Sequence, residues 1–291
     1  MTSDAQPCVA IIGGSGLYGL EQLEVEGEQW VETPFGRPSD AVRLGRLGGV
    51  RLLFLARHGR QHELPPRLVN FRANVHALKQ LGAQQILSVS AVGSLREHMH
   101  PGDVVFVDQC IDQTRGRESS FFADAGLVAH VSLADPVDAA LQAHLAVHAQ
   151  RLGMAHHSQG TYVCIEGPQF STRAESELYR RWGADVIGMT MATEAKLARE
   201  AELPFASIAM VTDYDCWHVS EADVSVEAVL AVLRQTSARV QTLLQAAVRD
   251  LPDPTQSPST HALRDALIGD VAALPEALQA RFAGLLRRQR R

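Results

Sequence analysis

Two pairs of chemically active side chains follow apolar runs of the sequence, where strands would end. Arg57 and His58 come directly after VRLLFLA, and Asp213 and Asp215 close the run FASIAMVTD and its continuation YD. An Arg guanidinium is a permanently charged, planar donor that suits phosphate oxygens. Each pair alone is also compatible with a solvated loop. Because α/β sheets gather ligands at the carboxyl ends of their strands, we expect the two pairs to share a site.

Two further apolar runs end in small polar or flexible side chains. Ser90 lies in QILSVSAV, where the following Gly93 permits close backbone approach, and Met189 and Thr190 follow ADVIG. A core methionine and a threonine helix cap are the ordinary alternatives. One phosphate and one polar organic ligand would together account for all of the polar side chains at these strand ends.

The stretch CVAIIGGSGLYGL carries glycines at 14, 16 and 19 that fit G-x-G-x-x-G, the dinucleotide fingerprint. A dinucleotide fold also needs a crossover helix and a strand ending in Asp or Glu about twenty residues on. Here at most a turn or two of helix precedes Gly27, and ETPFG then predicts a turn, so the context argues against a nicotinamide site. A turn whose N–H groups and Ser15 hydroxyl bind phosphate, and a plain tight turn, both remain open.

The elements that must position these residues alternate between short apolar runs and longer amphipathic stretches, from residue 8 to about 250. This alternation predicts one α/β sandwich with a mostly parallel or mixed sheet. The predicted strands are 8–12, 50–56, 85–92, 103–108, 161–167, 184–190 and 205–213, and the predicted helices are 67–82, 137–153, 173–183, 193–201 and 224–250.

The C-terminal part of the chain differs in composition. PDPTQSPST, residues 252–260, is typical of a linker, and residues 261–291 predict short helices ending in RRQRR. We therefore predict a domain over 1–251 and a linker with a helical extension over 252–291 that packs on or near it. The basic end is typical of a solvated helix end rather than a nucleic-acid anchor.

Composition narrows the function classes. The 291 residues carry a net charge of −6, so no global basic field attracts nucleic acid, and no apolar run reaches membrane-spanning length. The start, MTSDAQP, lacks the features of a signal peptide. The four cysteines are far apart with no C-x-x-C, which argues against a zinc site or a disulfide scaffold. We expect a cytoplasmic protein without nucleic-acid or membrane partners.

Eight ordered blocks resemble one known family: IIGGSGL, ETPFGRPSD, FLARHGRQH, AVGSLRE, PGDVVFVDQCIDQT, IEGPQFSTRAES, WGADVIGMT and ASIAMVTDYDCW. From about residue 9 to 250 the chain resembles the 5′-methylthioadenosine phosphorylases, a branch of the trimeric purine nucleoside phosphorylase family. The resemblance implies a single-domain, three-layer α/β fold with a central mixed, partly barrel-like sheet flanked by helices. It also implies a homotrimer or a multiple of three, and no metal or organic cofactor.

The resemblance also implies roles for individual residues. One group would bind inorganic phosphate as co-substrate: Ser15, Arg57, His58, Ser90 and Thr190. A second group would line the nucleoside pocket, with His130 lent by a neighbouring subunit: Ala91, Phe170, Met189, Val226, Val229 and His130. Asp213 and Asp215 would face the purine as the catalytic carboxylates.

The implied reaction is a pentosyl transfer that cleaves 5′-methylthioadenosine with phosphate into adenine and 5-methylthioribose 1-phosphate. We expect Asp213, with a pKa raised by a dry pocket, to donate at purine N7, and a carboxylate to accept from the 6-amino group. Two departures bear on the base. Gly188 stands where many relatives have Asn, and MATEA replaces the commoner Thr/Leu-Pro-Glu. The alternative is a 6-oxopurine nucleoside or methylthioinosine phosphorylase on the same scaffold.

Overall fold

In the computed structural model the described residues are 8–14, 16, 17, 20, 23–123, 126–218 and 226–286, without the side chains of 226–229. Within them the chain forms thirteen strands and six α-helices. The strands are β1 Cys8–Gly13, β2 Glu24–Gln29, β3 Val42–Leu47, β4 Val50–Ala56, β5 Gln85–Ser94, β6 Val104–Val107, β7 Gln109–Asp112, β8 Val128–Ala129, β9 His156–His157, β10 Thr161–Cys164, β11 Val186–Gly188, β12 Phe205–Asp213 and β13 Leu267–Ile268.

Five of the six helices lie between these strands, as the alternation of patterns predicts, and the sixth follows the last strand. Asn70 caps α1 by accepting from the Ala73 N–H, and Thr172 forms a capping box with Glu175 at the start of α3. The helices are α1 Phe71–Gln80, α2 Ala139–Arg151, α3 Arg173–Arg181, α4 Met191–Glu200, α5 Val226–Ala247 and α6 Glu276–Phe282. Among the described residues, no helix combines the length and apolarity that crossing a membrane requires.

The large sheet is mixed and branches at β5. Along one path the order is β2-β3-β4-β1-β5-β11-β10-β7, and β12 pairs with the other side of β5 and leads on to β6 and β9. β5 runs parallel to β1 and β12 but antiparallel to β11. The predicted mixed α/β sheet is confirmed, and the branch brings the carboxyl ends of β4, β5 and β12 close together.

Two apolar layers cover the faces of this sheet. Alternate residues of β1 point to opposite faces, so that Cys8, Ala10 and Ile12 join the core that includes α1 and α4. Val9 and Ile11 join the core that includes α2 and α5. A parallel strand with helices on both faces is apolar at every position, which explains the uninterrupted run CVAII.

The edge strand β2 was not predicted from the sequence. The prediction of at most a turn or two of helix before Gly27 is wrong for residues 24–27, because Glu24–Gln29 is strand β2, antiparallel to β3. The strand was not recognised because its charged residues are typical of solvated segments. In the structure they form ion pairs with β3: Glu26 pairs with Arg46 at 2.9 Å and Glu28 with Arg43 at 3.1 Å. The predicted ETPFG turn is confirmed by the bridge between Thr33 and Gly36.

The described part of the C-terminal segment packs against the rest of the chain. Residues 254–256 and 258–261 form short 3₁₀ helices in the predicted linker, and the Ser257 hydroxyl donates to Asp138 Oδ2 at 2.5 Å. Phe282, Leu285 and Leu286 belong to the same apolar core as α1. The domain boundary at residue 251 stays a prediction.

Candidate active site

A cavity of about 620 Å³ opens at the carboxyl ends of β4, β11 and β12 and along the end of β5. Nine of the residues singled out from the sequence line it, although five segments far apart in the chain supply them. They are Arg57, His58, Ser90, Ala91, Phe170, Met189, Thr190, Asp213 and Asp215. The roles assigned to them from the sequence stay predictions.

Four other predicted residues are not placed in this cavity. Ser15 lies outside the described residues, as do the side chains of Val226 and Val229. His130 is exposed and lines a different cavity, beside α2 and the 252–266 segment. Its predicted contribution to the site of a neighbouring subunit stays a prediction.

Arg57 is almost completely buried, with 1% of its side chain exposed, and its orientation is fixed on three sides. Its Nε donates to Glu194 Oε1 at 2.5 Å, and its Nη2 donates to Glu194 Oε2 at 3.0 Å and to the Ser88 hydroxyl at 2.7 Å. Its Nη1 donates to the Val89 carbonyl at 3.0 Å. These bonds use four of the five guanidinium N–H groups, which leaves one on Nη1.

Glu194, in the first turn of α4, is a residue that the sequence analysis missed. Its side chain is also 1% exposed, and it accepts from Ser88 Oγ at 2.6 Å in addition to Arg57. A buried cation requires a buried counter-charge. The expectation that Arg57 is buried would therefore have justified a search of the sequence for its carboxylate partner. Because the pair is neutral overall, Arg57 offers the cavity an oriented N–H rather than a net positive charge.

The glycine turn approaches Arg57 from the other side. The Gly14 N–H donates to the Val89 carbonyl at 3.0 Å, so this one N–H of the turn is not available to an anion. Phosphate binding by the rest of the turn stays a prediction. A Cβ on Gly14 would overlap with Nη1 of Arg57. The glycine is therefore required for the close approach of the β1 end to the guanidinium.

His58 is a neutral group in this site. Burial lowers its pKa to about 3, and the neighbouring charge of Arg57 acts in the same direction. Its Nδ1 lies 2.8 Å from the Leu64 carbonyl, so Nδ1 carries the proton and donates to that oxygen. Nε2 is then left with a lone pair, which can accept from a protonated phosphate oxygen.

Asp213 and Asp215 differ in their surroundings. Asp213 Oδ1 accepts from the Asp215 N–H at 2.8 Å, and Asp213 Oδ2 accepts from the Thr212 hydroxyl at 2.7 Å. Asp215 is buried, and its Oδ2 has no hydrogen-bond partner within the described chain. Burial raises the pKa of Asp215, and the nearby Asp213 charge raises it further. The pKa of Asp215 is therefore shifted in the direction that favours its protonated form. The predicted proton on Asp213 stays a prediction.

The backbone of this segment explains why the two carboxyl groups converge. The register between β12 and β5 shifts between Val211 and Asp213, and Asp215 has a positive φ of 52°. The shift re-aims the strand end, and the left-handed residue turns the chain back toward β5. A Cβ on Gly93 would lie 3.0 Å from Asp213 Oδ1, so the absence of a side chain there leaves room for the carboxylate.

Met189 and Phe170, which were predicted to line the nucleoside pocket, both line the cavity. Arg117, which the sequence analysis also missed, donates to the Met189 carbonyl at 2.5 Å and to the Glu166 carbonyl at 2.7 Å. Its Nε also pairs with Glu166 Oε1 at 2.9 Å. Arg117 thus fixes two loops of the cavity wall to each other, whereas Phe170 is 53% exposed at its opening.

The space next to Gly188 is already occupied by a side chain. A Cβ on Gly188 would overlap with the hydroxyl of Tyr162, which comes from the neighbouring strand β10. The space that a side chain would need at position 188 is therefore already filled by a phenol ring. The effect of the departure from Asn on the polar surroundings of the base stays a prediction.

The sequence and the fold of this chain are both similar to those of known proteins. Residues 9–249 match the model of the phosphorylase superfamily. The chain is 51% identical over 274 residues to an S-methyl-5′-thioadenosine phosphorylase of Geobacter sulfurreducens, covering 94% of this chain and 96% of that protein. It is similar to a crystal structure of a methylthioadenosine phosphorylase from an antarctic soil metagenomic library, with TM-score 0.90 and 46% identity over 97% of this chain and 99% of the other.

A further solved structure contains a ligand. It is a variant of the adenosine/methylthioadenosine phosphorylase of Schistosoma mansoni in complex with methylthioadenosine. The TM-score is 0.79 and the identity 38%, with 84% of this chain and 91% of the other covered.

Proposed function

Because this chain belongs to the phosphorylase superfamily, we propose that it cleaves the N-glycosidic bond of 5′-methylthioadenosine with inorganic phosphate. The products are adenine and 5-methylthioribose 1-phosphate, which places the enzyme in purine and methionine salvage. One observation carries the proposal from the structure: a single cavity holds both the Arg57–His58–Ser90–Thr190 set and the Asp213–Asp215 pair. The first set suits an anion, and the second suits a base with a 6-amino group.

The phosphate half of the site binds and orients the nucleophile. Arg57 donates its remaining N–H, and the buried hydroxyls of Ser90 and Thr190 lie on the same wall of the cavity. His58 Nε2 accepts from a protonated phosphate oxygen. Ser15 completes this set in the proposal. Phosphate fixed beside C1′ stabilises the oxocarbenium-like sugar and attacks it without the entropy cost of a bimolecular encounter.

The purine half of the site meets the charge that develops on the leaving base. Asp215 holds a proton in its buried position and donates it, or a hydrogen bond, at N7 as the C1′–N9 bond breaks. Asp213 remains the acceptor for the exocyclic 6-amino group. A 6-oxo group at that position would face a carboxylate without a proton between them, which disfavours inosine-type substrates.

The sugar half uses apolar contacts. Met189 lies under the ribose in this proposal, Ala91 lines the same wall, and Phe170 covers the base from the opening. Leu230 and Leu233 of α5 also line the cavity and extend its apolar wall. Val226 and Val229 join this wall around the 5′-methylthio group in the proposal. The reaction as proposed needs phosphate as co-substrate and no further cofactor.

The experiment that tests this function compares two nucleosides at saturating phosphate. Purified protein should release adenine from 5′-methylthioadenosine with a much higher kcat/KM than it releases hypoxanthine from 5′-methylthioinosine. A preference for the 6-oxo substrate would replace the proposal by the methylthioinosine alternative. Activity on neither substrate would reject both.

We further propose a cytoplasmic homotrimer, or a multiple of three, in which His130 of one subunit contributes to the site of the next. Its exposed position away from the cavity of its own chain supports this arrangement. Light scattering should give three times the monomer mass or a multiple of it. A fully active monomer at assay concentration would contradict the proposal.

A further inference from the structure

Tyr162 is a buried tyrosine that no step of the proposed reaction uses. It lies in β10 with none of its surface exposed, next to β11, which ends at Gly188. A Cβ on Gly188 would overlap with the Tyr162 hydroxyl and would lie 2.5 Å from its Cζ. The phenol therefore occupies the space beside Gly188, and Gly188 itself lines the cavity.

The Tyr162 hydroxyl ends beside two residues of the phosphate half. Burial raises its pKa, while the Thr190 backbone and the Ser90 hydroxyl nearby act in the opposite direction. The raised pKa favours the protonated phenol, whose O–H group is a hydrogen-bond donor. Neither the Tyr162 hydroxyl nor the Ser90 hydroxyl has a hydrogen-bond partner of good geometry within the described chain. Two buried hydroxyls left without partners next to each other call for an explanation, since such groups are normally satisfied.

On the basis of the proposed function, we infer that Tyr162 is a positioning residue for phosphate. Its O–H donates to the Ser90 oxygen, and this directs the single proton of the Ser90 hydroxyl toward a phosphate oxygen. A serine hydroxyl has one proton and two acceptor lone pairs, so a donor on one side fixes the role of the proton on the other. Tyr162 thus acts through Ser90 and touches neither the sugar nor the base.

The same geometry couples positions 162 and 188. A tyrosine at 162 requires glycine at 188, and a side chain at 188 requires a smaller residue at 162. The glycine that departs from the family pattern is then the companion of the tyrosine, and the pair belongs to the phosphate half of the site rather than to base selection.

Kinetics of Tyr162→Phe test the positioning role. Loss of one hydrogen bond should raise the KM for phosphate about three- to tenfold and leave the KM for the nucleoside and kcat near wild type. In a Ser90→Ala background the same change should have no further effect on phosphate, because the residue through which Tyr162 acts is missing. An unchanged phosphate KM, or an equal effect in both backgrounds, would overturn the inference.

The coupling is tested by thermal unfolding. Gly188→Ala should lower the melting temperature and the activity, and the double variant with Tyr162→Leu should recover much of the melting temperature. Tyr162→Phe should not rescue Gly188→Ala, because ring carbon Cζ lies within 2.5 Å of the new Cβ. A Gly188→Ala protein as stable as wild type would refute the coupling. Failure of the proposed function would instead appear as a wild-type protein without phosphate-dependent base release.

Discussion

Replacing Glu194 by Gln removes the negative charge that faces Arg57 and keeps the size of the side chain. Both side chains are 1% exposed and meet at 2.5 Å, so water does not screen the charge that remains. Removing one partner of a buried ion pair costs about 3–5 kcal/mol in unfolding free energy, because the other charge stays buried without compensation. Each kcal/mol lowers the melting temperature by about 2–4 °C in a domain of this order, which gives an expected fall of about 6–20 °C.

The assay is thermal unfolding of wild type and Glu194→Gln, with and without phosphate. Phosphate should raise the melting temperature of the variant more than that of wild type, because the bound anion supplies the missing negative charge beside Arg57. Glu32→Gln is the matched control. It breaks the Arg37–Glu32 pair, which has the same 2.5 Å separation but leaves the two side chains 70% and 67% exposed, and it should have little effect.

Two results would refute this reasoning. A Glu194→Gln melting temperature within about 2 °C of wild type would mean that the buried pair does not carry the stability assigned to it. An equal phosphate-induced shift in both proteins would mean that the anion does not bind next to the Arg57 guanidinium.

Three other predictions follow from the site and the core. Arg57→Lys keeps the positive charge but loses the planar guanidinium donor. The KM for phosphate should therefore rise about tenfold or more, while the KM for the nucleoside changes little. An unchanged KM for phosphate would mean that Arg57 does not belong to the anion site. The pKa of Asp215 is raised above its ordinary value of 3.8 in the folded protein. Protonation of Asp215 therefore stabilises the folded state, and this stabilisation is lost as the pH rises from 3.8 through the folded-state pKa. Asp215→Asn should therefore have a higher melting temperature than wild type at neutral pH and lose that advantage in acid. The same substitution should lower kcat/KM for methylthioadenosine about tenfold to a thousandfold. A variant that is less stable at neutral pH, or one with the wild-type kcat/KM, would contradict this prediction. Burial lowers the pKa of His76 from 6.5 to about 4, so the wild-type protein should lose stability as the pH falls from 6.5 to about 4. His76→Phe keeps the contacts with Phe35 and Phe121 and should lose less stability over the same pH range. Equal slopes of melting temperature against pH for the two proteins would show that His76 is not the group responsible.

The strand-end residues could be predicted from sequence because their positions follow from simple geometry. An apolar run of five to nine residues predicts a buried strand, and parallel strands end at a common edge of the sheet. Arg57 after β4 and Asp213 at the end of β12 therefore meet, although 156 positions separate them in the printed sequence. The same reasoning located Ser90 and Thr190.

The partners of those residues could not be predicted in the same way. Glu194, Arg117 and Tyr162 act through contacts between distant segments, and nothing in their own sequence neighbourhood distinguishes them from surface or core residues. The buried placement of Asp215 depends on its left-handed backbone, which has no sequence signal beyond the residue type. Strand β2 escaped detection because edge strands carry the charges that usually indicate solvated structure.

The most direct test of the central claim follows both products of 5′-methylthioadenosine cleavage in one reaction. Adenine is measured by absorbance, and the sugar product by phosphorus NMR, with and without inorganic phosphate. We expect adenine to form only when phosphate is present, with one equivalent of 5-methylthioribose 1-phosphate for each adenine. Adenine release at the same rate without phosphate, with free 5-methylthioribose as the other product, would contradict it.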